Sequence, residues 1–164
     1  MKLHELSRVL PFVAIAVTMA GCESNQGEWA QAIEFTVLAQ GSYSGVDTER
    51  FEVIRDEPAF RSLWIAHTAG TSPTSPLPQL DFAKDMVIAA FAGTKSTGGY
   101  SLNISSITAE KERLKVILSL TQPGPDCMVS QVLTQPYVMV KTTRSPKSAN
   151  FTVSATTASC TSDR

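Results

Sequence analysis

The chain has 164 residues, the length of one domain, and its 18% charged and 43% hydrophobic residues fit a globular protein rather than a disordered one. Lys+Arg number 14 and Asp+Glu 15, a formal net charge of -1, which excludes a strong electrostatic drive toward nucleic acid or anionic membranes. With only 2 His, a His-rich metal site is excluded too, and 3 Cys leave one without a partner.

Lys2 and Arg8 precede an apolar run at 9–20, V-L-P-F-V-A-I-A-V-T-M-A. A helix needs about 20 residues to span the roughly 30 Å of a bilayer core. The run is too short for that and reads as the core of a signal peptide over 1–21. It ends in Met19-Ala20-Gly21-Cys22, which resembles the lipobox of bacterial lipoproteins. That resemblance implies a diacylglycerol on the Cys22 thiol, cleavage before Cys22 and acylation of the new amine, with palmitate among the expected chains. The alternatives are a soluble secreted protein with a free Cys22 thiol, or a plain buried helix. Each buried methylene contributes about 0.8 kcal/mol, so two or three chains anchor stably without a transmembrane helix. Glu23 stands where an Asp holds some lipoproteins at the inner membrane. The expected location is therefore the bacterial cell envelope, at the outer membrane, the periplasmic face or the cell surface. Residues 22–32 read as a tether, and 33–164 as a single domain.

Within that domain the hydrophobic pattern has mostly period two. Ile33, Phe35, Val37 and Ala39 share one face, with Glu34, Thr36 and Gln40 opposite; Phe51 and Val53 alternate with Glu52. Phe60, Leu63, Trp64 and His67 then recur at the spacing of one helix face, with Asp56 as N-cap, Pro58 in the first turn and Gly70 as the stop. Residues 71–78, T-S-P-T-S-P-L-P, form a loop. Residues 86–92 are continuously apolar, as in a strand buried on both faces. Leu102 and Ile104 keep one parity and Ile107 the other, which predicts a bulge at Ser105-Ser106. Glu110 to Arg113 make a charged hairpin turn before the alternating Leu114, Val116, Leu118 and Leu120. Residues 137–142 and 151–155 supply two further strands. The expected fold is mostly β, a single antiparallel β-sandwich or barrel-like domain with one short helix.

With Cys22 lipidated, Cys127 and Cys160 remain, an even pair in an oxidising compartment and hence a disulfide candidate; the alternative is two free thiols. They lie too far apart for CxxC chemistry.

Catalytic motifs are sparse. His67 is the only His after the signal peptide, on an apolar helix face beside Trp64, where a packed core residue is the simpler reading. There is no G-x-S-x-G, P-loop or H-E-x-x-H. Asp81 and Asp85 flank a strand start without a ligand pattern, and Asn103 and Asn150 head sequons that arise by chance in a bacterial lipoprotein. No enzyme activity, metal or cofactor is implied, and binding is the expected role.

The most informative stretch is D-F-A-K-D-M-V-I-A-A-F-A-G-T-K-S-T-G-G-Y at 81–100. A buried strand runs into a turn where Gly98 and Gly99 allow positive φ and close approach of a partner, and Tyr100 is an aromatic anchor. Pro136 and Tyr137 precede a later strand. Thr97, Gly98, Gly99, Tyr100, Pro136 and Tyr137 are thus expected to form a recognition rim; alternatively the rings cap the core and the glycines only close a hairpin.

From Asp81 to Lys141 the sequence resembles the C-terminal domain of the protease complex subunit PrcB. The D-F-x-K-x-M-V strand, the T-G-G-Y-S turn and the late P-Y strand carry the likeness, with Ser96 standing where a Pro precedes T-G-G-Y in that pattern. The resemblance implies a lipid-anchored accessory subunit that binds and stabilises an envelope or secreted protease. The T-G-G-Y turn and the P-Y pair also echo the N-P-T-T-G-Y and R-P-W loops of chagasin-type cysteine-protease inhibitors, without their Asn, first Pro, Arg and Trp. A structural envelope lipoprotein is the third reading.

Overall fold

The structure, a computed structural model, describes residues 30–70 and 75–161. The predicted signal peptide, the lipidation at Cys22 and most of the expected tether lie outside these residues. Eight strands and one helix follow in the order β1 (Gln31–Ala32), β2 (Phe35–Gly41), β3 (Glu49–Ile54), α1 (Glu57–Thr68), β4 (Asp85–Ala92), β5 (Ser101–Ala109), β6 (Arg113–Pro123), β7 (Tyr137–Thr143) and β8 (Ser148–Ala158). One sheet has the order β1-β5-β6-β8 and the other β2-β7-β4-β3. The two sheets pack face to face, and α1 covers the outer face of the second, giving three layers.

Strand β4 explains why three layers form. Its even residues Met86, Ile88 and Ala90 enter the core between the sheets, while Val87, Ala89 and Phe91 point to the helix side, and all six are 0% exposed. A continuous apolar run cannot sit on a half-wet sheet, so it demands cover on both faces. The helix supplies the second cover with Phe60, Leu63 and Trp64. Each such side chain contributes about 1.5–3 kcal/mol when fully buried. The helix starts where the sequence places it: Asp56 accepts a hydrogen bond from the Ala59 N–H at 2.9 Å, and Pro58 lies in the first turn. Ala69 is the C-cap and Gly70 follows with φ +79°.

The bulge expected at Ser105-Ser106 is present, with the β5–β6 register shifting between Ile104 and Ser106. The Glu110–Arg113 turn is closed by the Glu110 N–H donating to the Arg113 carbonyl at 2.9 Å.

Three expectations need correction. Ala39 does not share a face with Phe35: a register shift between Val37 and Ala39 inserts Leu38, so Leu38 and Ala39 pack on the helix side, while Val37, opposite Val140, keeps the parity of Phe35 but is 49% exposed. Past the shift, Gln40 faces the other sheet and donates to the Leu102 carbonyl and the Asn103 side chain. The sandwich is not wholly antiparallel, because β8 pairs parallel with β6 over its full length. After β6 the chain crosses to the other sheet at one end, runs back as β7, and crosses again at the opposite end. Two reversals return β8 to the direction of β6, which no hydrophobic alternation could show. Finally, Gln31 and Ala32, assigned to the tether, form the short strand β1 against β5.

Candidate functional site

Three connections meet at one end of the sandwich: 42–48 between β2 and β3, 93–100 between β4 and β5, and 124–136 between β6 and β7. The chain enters from residue 30 at the opposite end, where β1 lies beside the close of β5. Backbone bonds lace the three connections together. Lys95 and Thr134 exchange N–H···O bonds at 2.7 and 3.0 Å, the Gly98 N–H donates to the Ser130 carbonyl at 2.8 Å, and the Thr134 hydroxyl donates to the Thr97 carbonyl at 2.8 Å. The Gln135 N–H reaches the Ser42 carbonyl at 2.8 Å, and the Thr94 N–H reaches the Asp47 carbonyl at 2.9 Å. The result is one interlocked surface rather than three separate loops.

The glycines of the 93–100 turn serve this lacing. Gly99 has φ +85°, and a Cβ there would lie 2.8 Å from Val129 Cγ1 and 3.0 Å from Pro123 Cβ. Gly98 is buried, does not have positive φ, and is pressed against Ser130 of the same chain. The close approach that the sequence assigns to a partner is therefore taken, at Gly98, by the chain's own 124–136 segment. Thr97 and Tyr100 are half-buried.

Pro136 and Tyr137 do not stand beside the glycine turn as an exposed pair. Pro136 is buried, its carbonyl accepting from the Ala92 N–H at 2.9 Å. The Tyr137 ring lies on the helix side, 4.2 Å from the His67 ring and 6.2 Å from Phe91, and closes over Gly41. The second turn of the inhibitor-like pattern thus offers no exposed wedge.

His67 is packed as its helix face implied. It is 4% exposed, and its Nδ1 is 3.0 Å from the Ser44 hydroxyl, which also accepts from the Val46 N–H at 3.0 Å. Burial lowers its pKa from the usual 6.5. The contact pins the 42–48 connection to the end of α1, where the Gly45 N–H donates to the His67 carbonyl at 2.8 Å. Among the described residues no group of three His, Cys, Asp or Glu could hold a metal. Asp81 accepts from the Ala83 N–H at 3.0 Å, and Asp85 lies 3.8 Å from Lys141.

What the interlocked end exposes comes from elsewhere. Tyr43 is 59% exposed, Val132 45%, Leu133 63% and Met128 101%. Sequence reasoning passed over these residues because 124–136 has no strand or helix period. The available signal was C-M-V-S-Q-V-L, apolar residues confined between Gly124-Pro125 and Gln135-Pro136. Cys127 and Cys160 form the expected disulfide, with Cα atoms 4.9 Å apart, tying this segment to the end of β8. Beside it Asp126 gathers the Ser159 hydroxyl and the Cys160 and Thr161 N–H groups, which lower its pKa to about 2. The segment is thus stapled at its root and laced along its length, while its apolar tips face water.

Residues 86–143 fit the family model described as PrcB C-terminal, just over a third of the chain. No curated protein and no solved structure matches. The matched residues run from β4 to the end of β7 and include both the 93–100 turn and the 124–136 segment. From β4 through β7, this chain is similar to the PrcB C-terminal family.

Proposed function

We propose that the protein is a non-catalytic binding module of the bacterial envelope, an accessory subunit whose interlocked loop end docks onto a protease or its complex. The observation that carries this is the set of exposed apolar side chains, Tyr43, Met128, Val132 and Leu133, held on a surface fixed by backbone bonds and a disulfide. Exposed apolar groups on ordered loops are costly to leave in water and mark contact sites. Pre-ordering lowers the entropy lost on binding. The PrcB-like match spans two of the three connections at this end, 93–100 and 124–136, and supports a protease-associated partner.

A lipid on Cys22 fits this arrangement. The described chain begins at the end opposite the loops, so an anchor there would hold the apolar tips away from the membrane and toward a partner.

The test is co-purification of the full chain from gently solubilised envelope, with a Met128→Glu/Leu133→Glu variant in parallel. Both side chains are exposed, so the variant keeps its melting temperature. A protease recovered with the wild type and lost with the variant is the expected result. Equal recovery with both chains would remove the loop end as the contact, and no protease with either would remove the accessory-subunit reading.

A further inference from the structure

The sheet edges of the sandwich are unequally guarded. Edge strand β1 is two residues long, β2 is broken by the irregularity at Leu38, and β3 carries Glu49, Arg50 and Glu52. These are standard ways to prevent an edge from pairing with another chain. Strand β8 has none of them. It is eleven residues long, S-A-N-F-T-V-S-A-T-T-A, with no charge and no Pro, and its register with β6 is unbroken. It is also held at both ends. Phe151 stacks on Phe51 at 5.7 Å near its start, and at its close the Gly124 N–H donates to the Ala158 carbonyl, followed by the disulfide at Cys160. Residues 152–157 are all exposed, including Val153 at 39% on the face that Phe151 turns to the core. A straight, pre-ordered edge is thus presented to solvent.

We propose that this edge pairs with β8 of a second copy, antiparallel about a two-fold axis at Val153, joining two four-stranded sheets into one of eight. Self-pairing demands a strand that tolerates itself, since each residue opposes its own symmetry mate. Centring on Val153 sets Thr152 against Ser154, Asn150 against Thr156 and Phe151 against Ala155. Hydroxyls meet hydroxyls, the one large ring meets a small side chain, and no charge opposes a like charge. Parity is kept, so core-side residues remain on one face of the joined sheet. A foreign strand would gain specificity from charged positions along the edge, and β8 has none. The surface is separate from the loop end, and antiparallel pairing leaves the two sets of apolar loops free at opposite ends of the joined sheet.

Sedimentation equilibrium of the full chain in density-matched mild detergent tests this. The expected result is a monomer–dimer equilibrium in the micromolar range, with Val153→Lys halving the apparent mass at the same concentration and leaving the melting temperature unchanged. Val153→Cys should form a reducible dimer on oxidation, while Val37→Cys, more exposed on β2 at 49%, should not. A wild type that stays monomeric at high micromolar concentration overturns the proposal, as does a dimer that Val153→Lys leaves intact. A monomer whose protease partner is lost with Val153→Lys would also overturn it, assigning the edge to that partner.

Discussion

Replacing Cys127 and Cys160 by Ser tests how far the staple at the root of the loop end supports the whole fold. The two residues are 33 apart in sequence. Opening a ring of that size restores chain entropy to the unfolded state worth roughly 3–4 kcal/mol. Unfolding entropy is about 2.1 cal/mol/K per residue near the midpoint, so the roughly 130 described residues give about 0.27 kcal/mol/K and a fall in Tm of about 10–15 °C. Far-UV circular dichroism against temperature measures it, with wild type under reductant as the companion sample, and the two should coincide. The ring contains β7 and β8, one in each sheet, so the loss should appear as a single cooperative transition. A fall of under about 5 °C would refute the reasoning, showing that closing this ring removes little freedom from the unfolded chain.

Three further outcomes follow from the geometry. His67 has a lowered pKa in the folded state, so the unfolded chain binds its proton more readily; stability should be full above pH 6.5 and decline as pH falls below it. Denaturant midpoints between pH 7 and 5 read this, and His67→Gln should flatten the slope. Asp126 has its pKa lowered to about 2, so its hold on residues 159–161 persists above the ordinary carboxylate range and is lost as pH falls through about 2. Asp126→Asn should speed amide exchange at Cys160 and Thr161 at neutral pH without moving that of β4. A Cβ at Gly45 would overlap the Ala66 carbonyl and lie 2.9 Å from that of Ala69. Gly45→Ala should therefore cost about 1–3 kcal/mol, as overpacking against backbone does, read as a lower denaturant midpoint.

Much of the fold was legible because its signals are local. The apolar run of β4, the parity slip at Ser105, and the helix bounded by Asp56 and Gly70 each follow from neighbouring residues. The parallel β6–β8 pair was not legible, since it depends on two crossings between sheets that leave no mark on strand periodicity. Ala39 misled because it continues an apolar alternation that the inserted Leu38 breaks, and Val37 because it keeps that alternation on an exposed edge strand, where β-branched residues sit as well as in a core. In the candidate site the turn at 93–100 stood out by its glycines. What they approach is the 124–136 segment, and contact between segments far apart in sequence has no local pattern. The exposed side chains of that segment carry no period either, so only the folded arrangement gathers them with Tyr43 at one end.

The position of the disulfide also bears on survival beside a protease. The 128–133 stretch, exposed at Met128, Val132 and Leu133, is the kind of ordered loop tip where peptide bonds are first cut. A single cut there leaves one fragment ending after Cys127 and another beginning before Cys160, and the bridge between those residues still joins them. Strand β7 keeps its place between β2 and β4, and β8 keeps its place beside β6, because no strand pairing runs through the cut. A nicked molecule would thus migrate as one species on a non-reducing gel and as two under reduction, with both sheets intact. The bridge makes this exposed stretch expendable as a covalent link while keeping its two ends in register.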